Sequence, residues 1–382
     1  MRLLLKLGVI LWARWATSQS DVSSSDSLSF PVNIQTPDGD LNYTAPIFPI
    51  LPFQKYGDNP ILTPNPANDF ESAYLYNPAA IVLNETVFLL YRAQNASKVS
   101  SIGLAWSTDG YHFTRLNRPI IHATDSYEAG GGTEDPRIVR VNGTFYVTYT
   151  AYNTYTPVLR IATSSDLLTW TKTPPLFPAW QDVAYSDIDI PMPRLNHSKS
   201  GAIVSEPTPD GLYHMYWGDS FFYHATSTDL LNWTTLPAEQ NFARPINPWE
   251  NRLIEPGPAP IKTRDGKWLL VYNGLTTGHE GYPKDQYSVG QMLIDPSGSF
   301  RPSLNTSQQV GCAGSMYQPA LKDGPVARLE QPILVPEASD ELEGQVNQVV
   351  FAEGLVQFKG KWFLYYGQAD STLGVAVANV QP

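Results

Sequence analysis

Short apolar runs separated by turn residues recur along most of this chain. Thr86–Ala93 (TVFLLYRA), Thr144–Tyr152 (TFYVTYTAY) and Leu212–Gly218 (LYHMYWG) are aromatic and β-branched, with turn residues at their borders. That length and make-up predicts strands rather than helices. Each run is followed by one short pattern, Ala-x-Ser-x-Asp with an aromatic four residues further on: Ala105–Phe113, Ala162–Trp170 and Ala225–Trp233. Its aspartates, Asp109, Asp166 and Asp229, are 57 and 63 residues apart, too far for a solenoid repeat and suited to one four-stranded propeller blade. Two further units keep the shape without the aspartate: Lys267–Gly274 leading to Tyr287–Asp295, and Lys361–Asp370 leading to Leu373–Val380. The expectation is an all-β chain folded as a five-bladed β-propeller, with the three repeat aspartates as structural turn residues.

The ends of the chain read differently. Residues 1–18 carry Arg2, an apolar run broken by Lys6 and Arg14, and small residues at Ala16 and Ser18, which predicts a signal peptide. Residues 19–58 are rich in Ser, Asp and Pro without apolar periodicity and predict an extended arm, leaving residues 59–382 as the propeller domain. Asn-x-Ser/Thr sequons at Asn42, Asn84, Asn95, Asn142, Asn196, Asn232 and Asn305 fit passage through a secretory pathway, so a secreted, N-glycosylated protein is expected. The single cysteine, Cys312, excludes an intrachain disulfide, so the core and the closure of its sheets must hold the fold.

Charge removes several partners. A net charge of -11 without a Lys/Arg cluster repels phosphate backbones and anionic lipid, and no stretch beyond the N-terminus is long and apolar enough to span a bilayer. Neither nucleic acid nor membrane is an expected partner. The six histidines show no paired ligand spacing, so no metal and no other cofactor is expected.

Propellers bring the first strand of each blade to a central channel, so the chemistry is sought in carboxylates flanked by Gly and Pro beside those strands. Four qualify: Asp135 in GGGTEDPR, Asp219 in YWGDS, Glu255 in LIEPGPAPI and Asp370 in YYGQAD. The Gly130–Gly132 run allows close backbone approach to a ligand, and Pro136 fixes the chain just after the acid. His279 and Tyr282 lie in a Gly-rich stretch that suits a cleft rim, and Lys199, in SKSGAI, is a further candidate. Trp217, next to Asp219, offers either a face for a sugar or a core residue.

An ordered set of motifs from about Asn77 onward resembles glycoside hydrolase family 130: NPAAI, YRA, IGLAWSTDGYHF, GGTEDPR, EPGPAPI and YYGQADSTLGVA. The resemblance implies a five-bladed propeller acting on β-mannosides with inversion. It makes Asp135 the general acid, acting in the phosphorylases by way of a sugar hydroxyl, and gives Asn77, Arg92 and Asp370 to the sugar whose bond is broken. Arg and carboxylate can each make paired hydrogen bonds to neighbouring hydroxyls, which discriminates epimers.

Hydrolysis and phosphorolysis differ in the attacking group. Where the family's phosphorylases carry His-Arg-Pro and Tyr-His-Gly, this chain has Tyr216-Trp217-Gly218 and Tyr272-Asn273-Gly274. With those phosphate ligands missing and acids at Asp219 and Glu255 as candidate bases, the expectation is a secreted inverting hydrolase of β-mannosidic linkages, β-1,2 above all. The alternatives are a mannoside phosphorylase, an arabinanase-like glycosidase and a non-catalytic glycan-binding propeller.

Overall fold

The computed structural model describes residues 23–185, 191–294 and 324–381. The proposed signal peptide, Asn305 and Cys312 lie outside them. The described residues are nearly all strand and turn; the one α-helix among them is the single turn Ser339–Leu342. No helix among them is long and apolar enough to cross a membrane.

The strands form five antiparallel meanders. The first runs through Tyr74–Leu83, Thr86–Gln94, Ser100–Ser107 and Thr114–Leu116. The second runs through Gly132–Val141, Thr144–Tyr152, Pro157–Ser164 and Thr171–Lys172. The third takes Gly201–Ile203, Tyr213–Trp217, Tyr223–Ser227 and Thr234–Thr235. In the fourth, Leu253–Pro256 and Ile261–Lys262 both pair with Trp268–Leu275, which continues to Tyr287–Ile294 and Ala327–Arg328. The fifth is Val350–Phe358, Lys361–Gln368 and Thr372–Asn379, and its outermost strand is Gln54–Lys55 from the N-terminal arm. Single parallel bridges, Ser100 to Gly132 and Glu353 to Ala79, join the first meander to the second and fifth, merging these into one thirteen-stranded sheet.

Burial along the inner strands is almost continuous rather than alternating, because both faces of each sheet are covered. Five hydrophobic clusters do the covering, each between two meanders. Phe88 and Leu90 meet Phe145 and Val147 between the first and second. Leu159 and Ile161 meet Met215 and Trp217 between the second and third. Tyr216 and Phe222 meet Ile254 and Leu270 between the third and fourth. Leu269 and Val271 meet Val350 and Leu364 between the fourth and fifth. Phe363 and Val375 meet Val87 and Leu89 between the fifth and first, returning the succession to its start. Each such fully buried side chain contributes roughly 1.5–3 kcal/mol.

The repeat aspartates serve the turns, as expected. Ser107, Ser164 and Ser227 donate their hydroxyls to Asp109, Asp166 and Asp229, whose Oδ1 atoms each accept the backbone N–H groups two and three residues on. Trp170 and Trp233 then close their turns by donating to the carbonyls of Leu167 and Leu230.

The arm is integrated rather than loose. Side-chain amides hold it as a neighbouring strand would: Gln357 pairs with both backbone groups of Thr44, and Gln291 with both of Ile50. With Gln54–Lys55 completing the fifth meander, the structural unit begins before residue 59.

Candidate active site

Three inner strands carry a site carboxyl or amide at a break in their ladder. Register shifts fall between Tyr76 and Pro78, between Glu134 and Arg137, and between Ala352 and Gly354, which exposes Asn77, Asp135 and Glu353 as extra residues. Asn77 and Asp135 take left-handed φ values of 49° and 51°, which Asn and Asp tolerate best after Gly, and each precedes a proline that cannot donate to the ladder. Glu255 also precedes a proline, in the fourth meander. Lys199 and Ser200 lie just before the first strand of the third meander. Asp219 and Asp370 lie just past the second strands of the third and fifth.

These residues converge. Asp135, 2% exposed, accepts hydrogen bonds from Asn77 Nδ2 at 2.9 Å and Arg92 Nη1 at 3.0 Å. Arg92 also donates to Glu134 at 2.6 Å and Ser100 at 3.0 Å, with its guanidinium 4.7 Å above the Tyr76 ring. Lys199 Nζ bridges Glu255 Oε1 at 3.2 Å and Asp135 Oδ2 at 3.7 Å. The Ser200 hydroxyl donates to Glu255. Asp219 is held by Arg194 at 2.7 Å and His197 at 3.1 Å, and Arg194 forks onto Asp182 at 2.9 and 2.7 Å.

The electrostatics follow from burial set against these partners. Burial pushes the Asp135 carboxyl up, but Arg92, Lys199 and the Asn77 hydrogen bond outweigh it and hold the group well below the usual carboxylate range. Asp219 is likewise held low, by His197 and Arg194 against burial. Burial pushes Lys199 down, yet Glu255 and Asp135 hold it above its ordinary value. Asp370 is the exception: burial raises it to about 7, the Arg92 charge offsetting this only in part. Burial also raises Tyr287, with the Glu255 charge adding to it.

The sequence candidates divide accordingly. Asn77, Arg92, Asp135, Lys199 and Glu255 are in direct contact, and Asp219 and Asp370 belong to the same charge network. Trp217 does not face a ligand: it is fully buried, stacked on Phe177 at 4.4 Å with Trp180 edge-on at 4.7 Å, so the sugar-stacking role is corrected to a core role. His279 and Tyr282 lie in the loop after Leu275, at the same strand end as Asp219 and Asp370; His279 is 3.6 Å from Glu280, and Tyr282 donates to Gln331. Of the sequons, Asn42, Asn84, Asn142, Asn196 and Asn232 are exposed and Asn95 is half-buried. Among the described residues no group of three or more His, Cys, Asp or Glu is arranged to hold a metal ion.

Sequence reasoning missed Glu134, Arg137, Arg194, His197, Ser200, Tyr287 and Glu353. Glu134 and Arg137 stood inside the motif around Asp135. Arg194 lies on the short strand Pro191–Leu195, paired with Gln181–Tyr185, and His197 just after it, in a stretch whose sequence has no strand signature, and Glu353 precedes Gly354 rather than a proline.

Paired carboxylates, amides and cations are thus gathered among the inner strands of an all-β frame. The family model Glyco_hydro_130, β-1,4-mannooligosaccharide phosphorylase, matches residues 55–381, and the chain belongs to glycoside hydrolase family 130. It is 29% identical over 355 residues to the 1,2-β-oligomannan phosphorylase of Thermoanaerobacter sp. strain X514, covering 87% of this chain and 99% of that one. A solved structure is described by the statement that this family of mannoside phosphorylases contains glycoside hydrolases that target β-1,2 mannosidic linkages in Candida mannan. It matches with a TM-score of 0.72 and 31% identity over 89% of this chain and 99% of that one. The fold is also shared with the β-1,2-mannobiose phosphorylase of Listeria innocua in complex with β-1,2-mannobiose, with a TM-score of 0.65 and 20% identity over 86% of this chain and 97% of that one.

These relatives correct the hydrolytic expectation. The curated relatives with a named activity are phosphorylases of β-1,2- or β-1,4-linked mannosides. The structure supplies the physical reason. The two positions read as lost phosphate ligands have structural duties: Trp217 fills a core, and Asn273 clamps both backbone groups of Ala352 in the next meander. Other basic side chains reach the site, Arg194, His197 and Lys199. The acids expected to activate water are tied to them, Asp219 to Arg194 and His197, Glu255 to Lys199.

Proposed function

We propose that this protein is an inverting β-mannoside phosphorylase, built as a five-bladed propeller and acting on β-1,2-linked mannooligosaccharides. The observation that carries this reading is the set of three cationic or imidazole side chains, Arg194, His197 and Lys199, on the side of the acid-lined channel formed by the third meander. Such a cluster suits a small oxyanion, and inorganic phosphate is the oxyanion that attacks a glycoside. The blade count rests on the five meanders and the closed succession of their cores.

In this reading the mannosyl unit lies against Asn77, Arg92 and Asp370. A phosphate oxygen attacks the anomeric carbon from the face opposite the glycosidic oxygen. The C–O bond to the leaving sugar breaks with its electron pair, and the proton that oxygen takes comes from Asp135. Arg92, Lys199 and the Asn77 hydrogen bond hold Asp135 ionised, so the proton it passes to the leaving oxygen is first taken from the entering phosphate monoanion. Phosphate entering beside Lys199 draws off that cation's field and raises the Asp135 pKa toward the protonated form the step needs. The products are α-mannose 1-phosphate and the shortened sugar.

Incubation with β-1,2-mannobiose, with and without inorganic phosphate, tests this. Mannose 1-phosphate is expected only with phosphate, and Asp135→Asn should slow it by roughly 10²–10⁴-fold. Free mannose released at the same rate without phosphate overturns the proposal.

A further inference from the structure

One buried cation in this site has no part in the chemistry above. Arg137 is 2% exposed and lies two residues past Asp135 on the second meander. Its Nη1 donates to the backbone carbonyl of Asp135 itself at 3.1 Å. On the other side, Nε donates to the carbonyls of Pro256 and Gly257 at 3.1 and 3.0 Å, and Nη2 to Pro256 at 2.7 Å. One planar guanidinium therefore spans the channel between the backbone that carries the acid and the backbone that follows Glu255.

A carboxyl meets it from a third direction, one that burial pushes well above the usual carboxylate range and the Arg137 charge offsets only in part. Glu353, on the first strand of the fifth meander and 1% exposed, approaches Arg137 Nη2 to 2.8 Å, whereas Glu255 is 3.8 Å from the same nitrogen. Neither Glu353 oxygen has a directed hydrogen bond among the described residues, so this ion pair is its principal polar contact.

We propose that Arg137 is a positioning residue that sets the separation of Asp135 from Glu255, and that Glu353 is the carboxyl that fixes its Nη2 side. The argument is geometric. Lysine is a single ammonium on a flexible stem, without the rigid fork that lets Arg137 hold four carbonyl contacts in fixed geometry. A loss of register of about 1 Å between reacting groups costs on the order of 10²-fold in rate. The proposal rests on Asp135 as the proton donor and on Glu255 as the partner that holds Lys199, and does not depend on which nucleophile attacks.

The test uses the full-length protein and β-1,2-mannobiose, with whichever acceptor, phosphate or water, the wild type is found to use. For Arg137→Lys, kcat should fall roughly 10- to 100-fold while mannobiose affinity stays within about threefold. For Glu353→Gln, kcat should fall roughly tenfold, again at unchanged affinity, and the double variant should lose less than the product of the two single losses. Single variants whose kcat stays within about threefold of wild type, or whose kcat and affinity fall together with the melting temperature, overturn the positioning role. If Arg137→Lys fails to fold, Glu353→Gln decides alone, since it leaves every Arg137 contact to the backbone in place. Wild-type turnover with water alone would defeat the phosphorylase reading and leave this one standing.

Discussion

Replacing Asp370 by Asn should make the protein more stable at neutral and alkaline pH and less able to hold its sugar. Burial raises this carboxyl from 3.8 to about 7, so the folded state keeps a proton that the unfolded chain loses near pH 4. In that window the native state binds more protons than the unfolded one, and stability falls as pH rises. The penalty is absent below about pH 4, grows toward pH 7 and is constant above it. At about 1.4 kcal/mol per pH unit the span from 3.8 to about 7 is worth roughly 4 kcal/mol, and partial solvent contact of the side chain reduces it to about 2 kcal/mol. Asn removes the titration and leaves a similar shape. Urea denaturation of wild type and Asp370→Asn between pH 4 and pH 9 reads the difference directly, and other raised acids such as Glu134 cancel in the comparison. The curves should meet near pH 4 and diverge until about pH 7, with the variant the more stable; mannobiose affinity should strengthen through the same range in the wild type only. Parallel stability curves, or a variant less stable at pH 8, would refute the assignment.

Two other substitutions separate site from scaffold. A Cβ added at Gly367 would meet Asn77 Oδ1 at 2.7 Å and its backbone N at 2.9 Å, so Gly367→Ala should displace Asn77 from Asp135, costing about 1–3 kcal/mol in urea denaturation and roughly tenfold in kcat/KM. Unchanged kcat/KM would mean the Asn77 to Asp135 bond does not matter to turnover. Asp166→Ala removes the acceptor of two backbone N–H groups and the Ser164 hydroxyl in a turn remote from the channel, so it should cost about 1 kcal/mol and leave kcat and KM unchanged. A changed KM would place that turn in the site after all.

The strands and their repetition were readable because aromatic and β-branched runs bordered by turn residues have few other structures open to them, and because the Ser-x-Asp turn repeats with identical local bonds. The chemistry was readable where the backbone itself left a mark: Asn77-Pro78 and Asp135-Pro136 each pair a polar residue with a proline at a break in the ladder, and Glu255-Pro256 sets an acid before the proline that ends its strand. What the sequence could not fix was the nucleophile. Trp217 and Asn273 stood where relatives keep phosphate ligands, and only the packing reveals that one fills a core and the other clamps a neighbouring strand. Arg194, on the short strand Pro191–Leu195, and His197 and Lys199 after it come from a stretch with no periodic signal. Their meaning depends on which carboxylates they meet, and contacts between side chains far apart in the chain are made by tertiary folding alone. Arg137 and Glu353, 216 positions apart in the sequence, are joined for the same reason: inner strands of separate meanders bring both to one channel.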